Sequence, residues 1–325
     1  MFNKKVVLSS LALSLMLGST TAMAKTVFIA SDVHPADYPT TEAVIHMGDK
    51  LSAQTEGRLS IKMFPSSQMG DENTTLEKTR VGAIDIVRVS MGPVGGILPQ
   101  VGVFNLPFIF RDTEHLHHVL DGKIGQDLSE KITNSNLGLE FLGWMDAGSR
   151  SLITKKPVKD LADLRGVKIR LQNNPIGLDA FKAMGANPVV LATGDVFASL
   201  QTGVIDAAEN NVPTFDSENY VVAGTKYYDM TEHFMIPEVL AFSKKKWIKL
   251  SPSDQQLIMK LAKEAQAEER VLWTEYDAKS TKKLKSEGVE FIKVDKKPFV
   301  DATAPVREKY GKQYSALVKE IQDTK

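Results

Sequence analysis

The sequence contains no cysteine, and this absence excludes several kinds of chemistry. Without thiols the chain can form no disulfide framework, no thiol nucleophile and no zinc–thiolate site. We also expect no lipoprotein anchor, because no cysteine follows the N-terminal apolar segment. A chain of 325 residues is long enough to be stabilised by burial of apolar side chains in two domains.

An excess of either charge is also absent. The 40 Lys and Arg residues balance the 40 Asp and Glu residues, and 42% of all residues are hydrophobic. These values are ordinary for a globular protein. Nucleic acid and anionic membrane surfaces are therefore not expected as partners, because binding to either depends on clustered positive charge.

The motifs of several common enzyme classes are missing. The sequence has no Walker motif, no Gly-x-Gly-x-x-Gly and no Gly-x-Ser-x-Gly. His115, His117 and His118 lie on one predicted helix but lack the His-Glu-x-x-His spacing, so we assign them to the helix surface. We identify no catalytic residue, and we expect no cofactor and no metal.

Long apolar runs are limited to the N-terminus. Lys4 and Lys5 precede the apolar segment Val6–Leu17, and Ala22-Met23-Ala24 follows it. This is the pattern of a cleaved export signal over residues 1–24. The apolar segment is too short for a transmembrane anchor, which needs roughly 20 apolar residues. The sequence thus predicts a soluble periplasmic protein that begins at Lys25.

Helical and strand patterns alternate along most of the remaining chain. Examples are a strand over Val27–Ala30, a helix over Thr41–Gln54 and a helix over Thr113–Ile132. Such alternation predicts an α/β architecture with largely parallel sheets. The pattern Gly-x-Ile-Asp occurs at Gly82–Asp85 and again at Gly203–Asp206, each time between a helix and a strand. Two lobes of similar topology would produce this repetition.

A long helix is predicted after Ser251. The segment Ser251-Pro252-Ser253-Asp254 combines an N-cap serine, a first-turn proline and an acidic residue. No glycine or further proline follows until about Glu287. At 1.5 Å per residue such a helix extends up to about 50 Å, which is long enough to run across both lobes.

Arg170 is the first candidate for ligand binding. It lies near the carboxyl end of a predicted strand, where open α/β sheets bind their ligands. Its rigid fork of donors matches a carboxylate, and the alternative is a structural arginine paired with an acid. Arg150 follows the predicted strand Leu139–Trp144. It is either a second ligand-binding arginine, with an anion between the two charges, or a surface residue.

Other polar residues occupy similar positions. Asn210 follows a predicted strand and can both donate and accept hydrogen bonds, although asparagine is also common in turns. Glu72 opens a predicted helix and is placed to accept hydrogen bonds from ligand hydroxyls. His34 follows the first predicted strand and is either a ligand contact or a structural residue.

Arg88, Ser90 and Met91 complete the candidate set. Arg88 and Ser90 interrupt the predicted strand Ile84–Ser90, and a buried charge there requires a partner. Met91 is adjacent to them, and packing is its simpler role. The candidate ligand-binding residues are His34, Glu72, Arg88, Ser90, Met91, Arg150, Arg170 and Asn210.

Four parts of the sequence form a specific combination. They are Leu161–Arg170 followed by Asn174-Pro175, then Leu200–Asn210, Phe64–Glu72 and Leu106-Pro107-Phe108. Together they resemble the substrate-binding components of tripartite ATP-independent periplasmic (TRAP) transporters, the DctP family. The resemblance covers essentially the whole chain after residue 24.

This resemblance implies a fold, residue roles and a partner. The fold is a two-lobed periplasmic binding protein with mixed, mostly parallel sheets, a hinge and a long helix that braces both lobes. The implied division places residues 25–147 and 236–275 in lobe I, and residues 148–235 and 276–325 in lobe II. Arg170 would clamp the ligand carboxylate, with Arg150, Asn210 and Glu72 as further contacts. The expected partner is a TRAP-type membrane permease, and the binding protein is expected to be a monomer.

The expected ligand is a sugar acid. Residues Ser31–Thr40 and Arg88-Val89-Ser90 resemble the hexuronate-binding subgroup. The arginines favour an anion, whereas Glu72 would repel a second carboxylate, so a hydroxylated monocarboxylate fits better than succinate. We expect D-glucuronate or D-galacturonate, with sialic acid or another small organic acid as the alternative. A secreted sugar-acid lyase or isomerase, a binding protein for an ATP-driven transporter and a chemoreceptor are the rival interpretations.

Overall fold

Strands and helices alternate along the described chain. The computed structural model of the protein describes residues 25–325, so the predicted export signal over residues 1–24 lies outside the described part. The predicted α/β architecture is confirmed. None of the helices within residues 25–325 is both long and apolar enough to cross a membrane.

Eleven strands and twelve α-helices are described, together with three short 3-10 helices. The strands are β1 (Thr26–Ser31), β2 (Leu59–Phe64), β3 (Ile86–Ser90), β4 (Leu139–Met145), β5 (Arg150–Thr154), β6 (Lys168–Leu171), β7 (Asn187–Val190), β8 (Ala207–Asn210), β9 (Tyr227–Phe234), β10 (Glu238–Ser243) and β11 (Glu290–Lys293). The helices are α1 (Pro39–Gln54), α2 (Glu72–Val81), α3 (Met91–Ile97), α4 (Thr113–Asp121), α5 (Lys123–Asn134), α6 (Pro175–Ala183), α7 (Thr193–Thr202), α8 (Val212–Ser217), α9 (Lys244–Trp247), α10 (Pro252–Ser286), α11 (Lys297–Gly311) and α12 (Ser315–Asp323).

The strands form two separate sheets. The first has the order β2-β1-β3-β10-β4, and the second has the order β11-β9-β5-β8-β6-β7. In the first sheet β10 runs antiparallel to both neighbours, and in the second β5 does the same. The remaining pairings are parallel. Both sheets are therefore mixed, with parallel pairings in a small majority.

Each sheet is the centre of one lobe, and the chain passes between the lobes more than once. It leaves the first sheet after β4, returns to it between β9 and β10, and leaves it again through α10. All strands of the first sheet fall within the predicted lobe I, and all strands of the second fall within lobe II. We keep the division at residues 147, 235 and 275 as a proposal.

Helix α10 spans the two lobes. Ser251 caps its first turn by accepting a hydrogen bond from the Asp254 backbone N–H at 3.2 Å. In lobe I, Glu268 accepts from Lys50 Nζ at 2.7 Å, which fastens α10 to α1. In lobe II, the Ser280 hydroxyl donates to Asp216 at 2.8 Å, which fastens α10 to α8. The helix predicted after Ser251 is thus present, and it braces both lobes.

The core of lobe I follows the predicted helical periodicity. Val44, Met47 and Leu51 lie on one face of α1 and are fully buried. They pack with apolar residues of the first sheet and of α10. Burial of this stripe is worth about 25 cal/mol for each Å² removed from water, so it supplies much of the free energy that holds α1 on the sheet.

The structure corrects one predicted element. The sequence pattern predicts a single helix over Thr113–Ile132, but the chain forms α4 and α5 with a break at Gly122. A Cβ at Gly122 would lie 2.7 Å from the carbonyl oxygen of His118, so only glycine fits here. Glycine is about 1 kcal/mol worse than alanine inside a helix. The break allows α4 and α5 each to bury an apolar face. The free energy of this burial exceeds that of the backbone hydrogen bonds lost at Gly122.

The surface assignment of the histidine cluster is wrong for His115. This ring is only 2% exposed. Its Nδ1 accepts the backbone N–H of Arg111 at 3.1 Å, and its Nε2 lies 2.8 Å from the carbonyl oxygen of Ile321. His115 is therefore a core residue whose two ring nitrogens are satisfied by backbone groups.

The tight approach of α4 and α5 generates a stability prediction. A Cβ at Gly125 would lie 1.8 Å from the carbonyl oxygen of Leu120. We expect Gly125→Ala to lower the free energy of unfolding by about 1–3 kcal/mol, because the two helices must separate to admit the methyl group. Urea denaturation followed by circular dichroism measures the change.

Gly194 is the matched control, because it also lies in a helix but has no atom within 4 Å of an added Cβ. Gly194→Ala should be neutral or stabilising by roughly 0.5–1 kcal/mol. Equal stabilities for the two variants would show that the α4–α5 contact is not tight.

Candidate functional site

Polar residues from both lobes meet where the strands of the two sheets end. Tyr38, just after β1, reaches Thr214 of α8, with 3.0 Å between the two hydroxyl oxygens. Gln172, just after β6, contacts α3, since a Cβ at Gly92 would lie 2.6 Å from its amide nitrogen. The predicted site residues are distributed along the same two edges. They therefore lie near the boundary between the two lobes.

Arg88 is the centre of a buried acidic cluster in lobe I. It is 1% exposed, although it lies within β3. Its guanidinium contacts three carboxyl groups, Asp32 on Nη2, Glu72 on Nη1 at 2.7 Å and Glu238 on Nη1 at 2.9 Å. A charge buried within a strand requires a polar partner, and Arg88 has three.

This arrangement corrects the role given to Arg88 by the sequence. Arg88 was counted among the cations that favour an anionic ligand. Because three carboxyl groups surround its single charge, Arg88 holds acids in place and offers no free positive charge to a ligand.

Asp32 and Glu238 are shifted in opposite directions. Burial alone would raise the pKa of Asp32, but the Arg88 charge outweighs it and the pKa falls to about 2. Burial raises the pKa of Glu238 to about 8, with Arg88 opposing the rise and Glu72 adding to it. Glu238 therefore holds a proton at neutral pH. Its Oε2 has no hydrogen-bond partner within residues 25–325.

His34 presents a neutral ring to the cleft. Burial, and after it the Arg88 charge, lower the pKa of His34 to about 3. Its backbone N–H donates to Asp32 at 3.0 Å, which fixes the loop after β1. The ring stacks on Tyr38 with 3.9 Å between the centroids. Its Nδ1 has no partner in the described chain, so this atom is free to meet a ligand.

Arg150 is buried and fully neutralised. It is 5% exposed and forms a two-pronged ion pair with Glu209, with Nε–Oε2 and Nη2–Oε1 distances both 2.7 Å. Its Nη1 donates to the Asn210 side-chain oxygen at 2.8 Å. The surface alternative for Arg150 is therefore wrong. The anion that a second nearby arginine requires is Glu209, which the sequence interpretation missed.

Arg170 differs from the other two arginines. It is 2% exposed, and within residues 25–325 no carboxylate lies within 4.0 Å of it. Its Nε donates to the carbonyl oxygen of Leu191 at 2.9 Å, and Nη2 lies 3.4 Å from the Thr193 hydroxyl. The acid-paired alternative for Arg170 is therefore not what the structure contains.

The electrostatics of the three arginines reflect this difference. Burial lowers the pKa of Arg170 below its ordinary value. Burial acts on Arg88 and Arg150 in the same direction, but nearby carboxylates outweigh it and raise both pKa values. Arg170 remains protonated, because arginine does not lose its proton in proteins. Its charge is buried without a compensating acid, so the site can accept an anion.

Ser90 and Met91 have structural roles. The Ser90 backbone N–H donates to Glu72 at 3.0 Å, and its hydroxyl accepts from the Gly92 N–H at 3.3 Å at the start of α3. Met91 is fully buried in the hydrophobic cluster that includes Val94. The geometry therefore supports helix capping for Ser90 and packing for Met91 rather than ligand contact.

Two further buried polar residues lie near Arg170 and were not predicted. The Gln172 amide nitrogen and the Tyr220 hydroxyl are buried, and neither has a partner in the described part of the chain. Gln172 follows Arg170 by two positions, so the strand period could have indicated it. Tyr220 is close enough to Arg170 for each to shift the pKa of the other. Nothing in the local sequence around Tyr220 indicates this.

No group of three His, Asp or Glu side chains within residues 25–325 is arranged to hold a metal ion. What the cleft contains is one unpaired guanidinium together with several buried hydrogen-bonding groups. Two α/β lobes that meet over such a charge, with the chain crossing between them, define a two-lobed solute-binding protein.

The chain belongs to the DctP family. The profile of this family, described as bacterial extracellular solute-binding protein, family 7, matches residues 30–313. The predicted family is therefore confirmed.

Three solved structures of TRAP periplasmic solute-binding proteins are similar to the chain. One, from Citrobacter koseri with bound D-glucuronate, is 50% identical with a TM-score of 0.90, and the match covers 92% of this chain and 100% of that one. The same protein in an apo, open structure is 49% identical with a TM-score of 0.81, covering 91% and 98%. One from Xanthobacter autotrophicus Py2 with bound β-D-galacturonate is 37% identical with a TM-score of 0.88, covering 92% and 100%.

The two Citrobacter koseri structures also identify the arrangement of the lobes. At almost equal identity, the chain matches the ligand-bound structure with a TM-score of 0.90 and the open structure with 0.81. The lobes are therefore arranged more like those of the ligand-bound structure than like those of the open one. Arg170, within β6, and His34, in the loop after β1, are both buried in this arrangement.

The Arg150–Glu209 pair yields a stability prediction. Glu209→Gln should lower the free energy of unfolding at pH 7 by about 3–5 kcal/mol, because it leaves the Arg150 charge buried without an acid. The control is Glu77→Gln, which removes the ion pair between Glu77 and Arg80. The Glu77 side chain is 54% exposed. An exposed pair of this kind contributes about 0–1 kcal/mol. Urea denaturation of both variants measures the difference.

The pH dependence has a definite sign. Burial would raise the pKa of Glu209, but the Arg150 charge outweighs it and the pKa is about 2, below the ordinary 4.5. The stabilisation is therefore present above pH 4.5 and is lost as the pH falls towards 2. The gap between wild type and Glu209→Gln should shrink over that window. A gap that stays constant from pH 7 to pH 2 would contradict this assignment.

Proposed function

We propose that this protein captures a hexuronate, D-glucuronate or D-galacturonate, in the periplasm and passes it unaltered to a TRAP-type membrane permease. Membership of the DctP family supports the transport role. The similar structures with bound D-glucuronate and β-D-galacturonate support the ligand class.

The observation that carries the proposal is the unpaired Arg170. A carboxylate is the group that best matches its planar fork, because two parallel N–H···O bonds form with one anion. A carboxylate also neutralises a charge that burial otherwise makes unfavourable. Phosphate would satisfy the same fork, but it would bring further negative charge towards Glu72 and Asp32.

The rest of the cleft supports a ligand with one acid and many hydroxyls. The cluster of Asp32, Glu72 and Glu238 around Arg88 keeps an excess of negative charge, and that excess opposes a second carboxylate. The neutral His34 ring and the protonated Glu238 can each exchange hydrogen bonds with hydroxyls. Sialic acid satisfies the same charge pattern, and the ligands of the similar structures favour a hexuronate.

Removal of the Arg170 side chain tests the anion contact. Arg170→Ala should weaken D-glucuronate binding by about 2–5 kcal/mol, which is roughly 30-fold to several thousand-fold in Kd, because the ligand carboxylate is left buried and unpaired. Arg165→Ala is the control, since Arg165 lies on the same segment but is exposed. Isothermal titration calorimetry measures both. Unchanged affinity in Arg170→Ala would remove the basis of the proposal.

A ligand panel tests the charge pattern. Wild-type protein should show a raised melting temperature with D-glucuronate or D-galacturonate, because a ligand that binds only the native state stabilises it. Glucose, which lacks the carboxylate, and glucarate, which carries two, should produce much smaller shifts at equal concentration. Equal shifts for glucose and glucuronate would show that the cleft does not select an anion. NMR of the released ligand should show it chemically unchanged.

A further inference from the structure

We propose that Tyr38 is a positioning residue that couples ligand recognition to lobe closure, with its ring supporting His34 and its hydroxyl fastening lobe I to the start of α8. This inference rests on the function proposed above. Tyr38 is the N-cap residue of α1, at the end of the loop that carries His34.

The hydroxyl of Tyr38 forms a buried contact between the lobes. It lies 3.0 Å from the Thr214 hydroxyl and donates to the Asn211 side-chain oxygen at 3.4 Å. Tyr38 is 1% exposed and Thr214 is fully buried. Asn73 and Asn173 also form a hydrogen bond between side chains of the two lobes, at 3.2 Å, but that contact is exposed to water. The Tyr38 contact therefore contributes more, because water does not compete for its partners.

The residues that receive the hydroxyl are themselves held in place. The Asn211 side-chain oxygen accepts from the Thr214 backbone N–H at 2.7 Å, and its amide nitrogen donates to the Ala147 carbonyl oxygen at 2.9 Å. Ala147 lies in the crossing between β4 and β5. The Asn211 backbone N–H donates to the Asn210 side chain at 2.9 Å. Asn211 thus connects Tyr38 both to Asn210, the partner of Arg150, and to the segment between β4 and β5 where the chain crosses between the lobes.

The ring of Tyr38 connects the same contact to the ligand-facing histidine. His34 stacks on it in nearly parallel orientation, with 12° between the planes. Trp273 and Tyr276 of α10 pack against it, each with 5.8 Å between ring centroids. A ligand that engages His34 therefore fixes the ring whose hydroxyl reaches lobe II.

In the proposal, the hydrogen bond between Tyr38 and Thr214 forms only when the lobes are closed. Opening of the lobes separates Tyr38 from Thr214, so the hydrogen bond stabilises the closed form alone and adds to ligand affinity through closure. Loss of one such bond should raise the Kd for D-glucuronate by about 3–10-fold, chiefly through faster release.

A double-mutant cycle with stopped-flow kinetics tests the inference. Tyr38→Phe and Thr214→Val should each accelerate D-glucuronate release by about 3–10-fold, with association rates within about twofold of wild type. The double variant should release no faster than the faster single variant, because both remove the same contact. Tyr276→Phe is the control, since its hydroxyl forms no hydrogen bond within residues 25–325 and release should be unchanged.

The outcomes separate the two proposals. Wild-type release from Tyr38→Phe, or effects that multiply in the double variant, would overturn the inference while leaving hexuronate binding intact. A lower melting temperature of unliganded Tyr38→Phe with unchanged release would indicate a purely structural role and would overturn it as well. Failure of the wild-type protein to bind either hexuronate would overturn the proposed function and this inference with it.

Discussion

A buried guanidinium that no acid of the described chain neutralises is the constraint on which the closed arrangement depends. Closing the lobes over Arg170 removes water from a full positive charge, which is costly unless an anion takes the place of that water. In the proposed function, the solute's carboxylate offsets this cost, so closure and binding become one equilibrium. Under the proposed function, the unpaired charge of Arg170 would by itself distinguish a loaded cleft from an empty one.

The surrounding charges make this arrangement selective. Arg150 resembles Arg170 in burial and position, but Glu209 neutralises it, so it can orient Asn210 without competing for the solute. On the facing lobe, Arg88 lies among three acids, so that lobe carries more acidic than basic groups at the cleft. One lobe therefore presents a free positive charge and the other an excess of acid. A solute with a carboxylate at one end and hydroxyls at the other matches this polarity in only one orientation.

Helices whose pattern lies within a few consecutive turns of sequence were predicted well. Apolar periodicity located α1, and the Ser251 cap located the start of α10. Arg170 could be identified because a cation at the carboxyl end of an apolar strand is visible in a few residues. The absence of an acidic partner for Arg170 could not be predicted, because the acids around Arg88 and Arg150 come from elements distant in sequence, as Glu72 of α2 and Glu209 of β8 show. The break at Gly122 was missed for a related reason, since the carbonyl that excludes a side chain there becomes close only after the helices pack. Met91 was a candidate by adjacency alone, and it packs in the core, whereas Ser90 interrupts a predicted strand and caps the start of α3.

Helix α10 has a mechanical consequence. It is fastened to lobe I through Glu268 and to lobe II through Ser280, and the stretch between these anchors carries Trp273 and Tyr276 against Tyr38. Relative rotation of the lobes must therefore bend this short stretch of α10. The bend shifts the Trp273 indole against the Tyr38 ring. Trp273 is consequently an intrinsic optical reporter, whose emission should follow the angle between the lobes without any attached label.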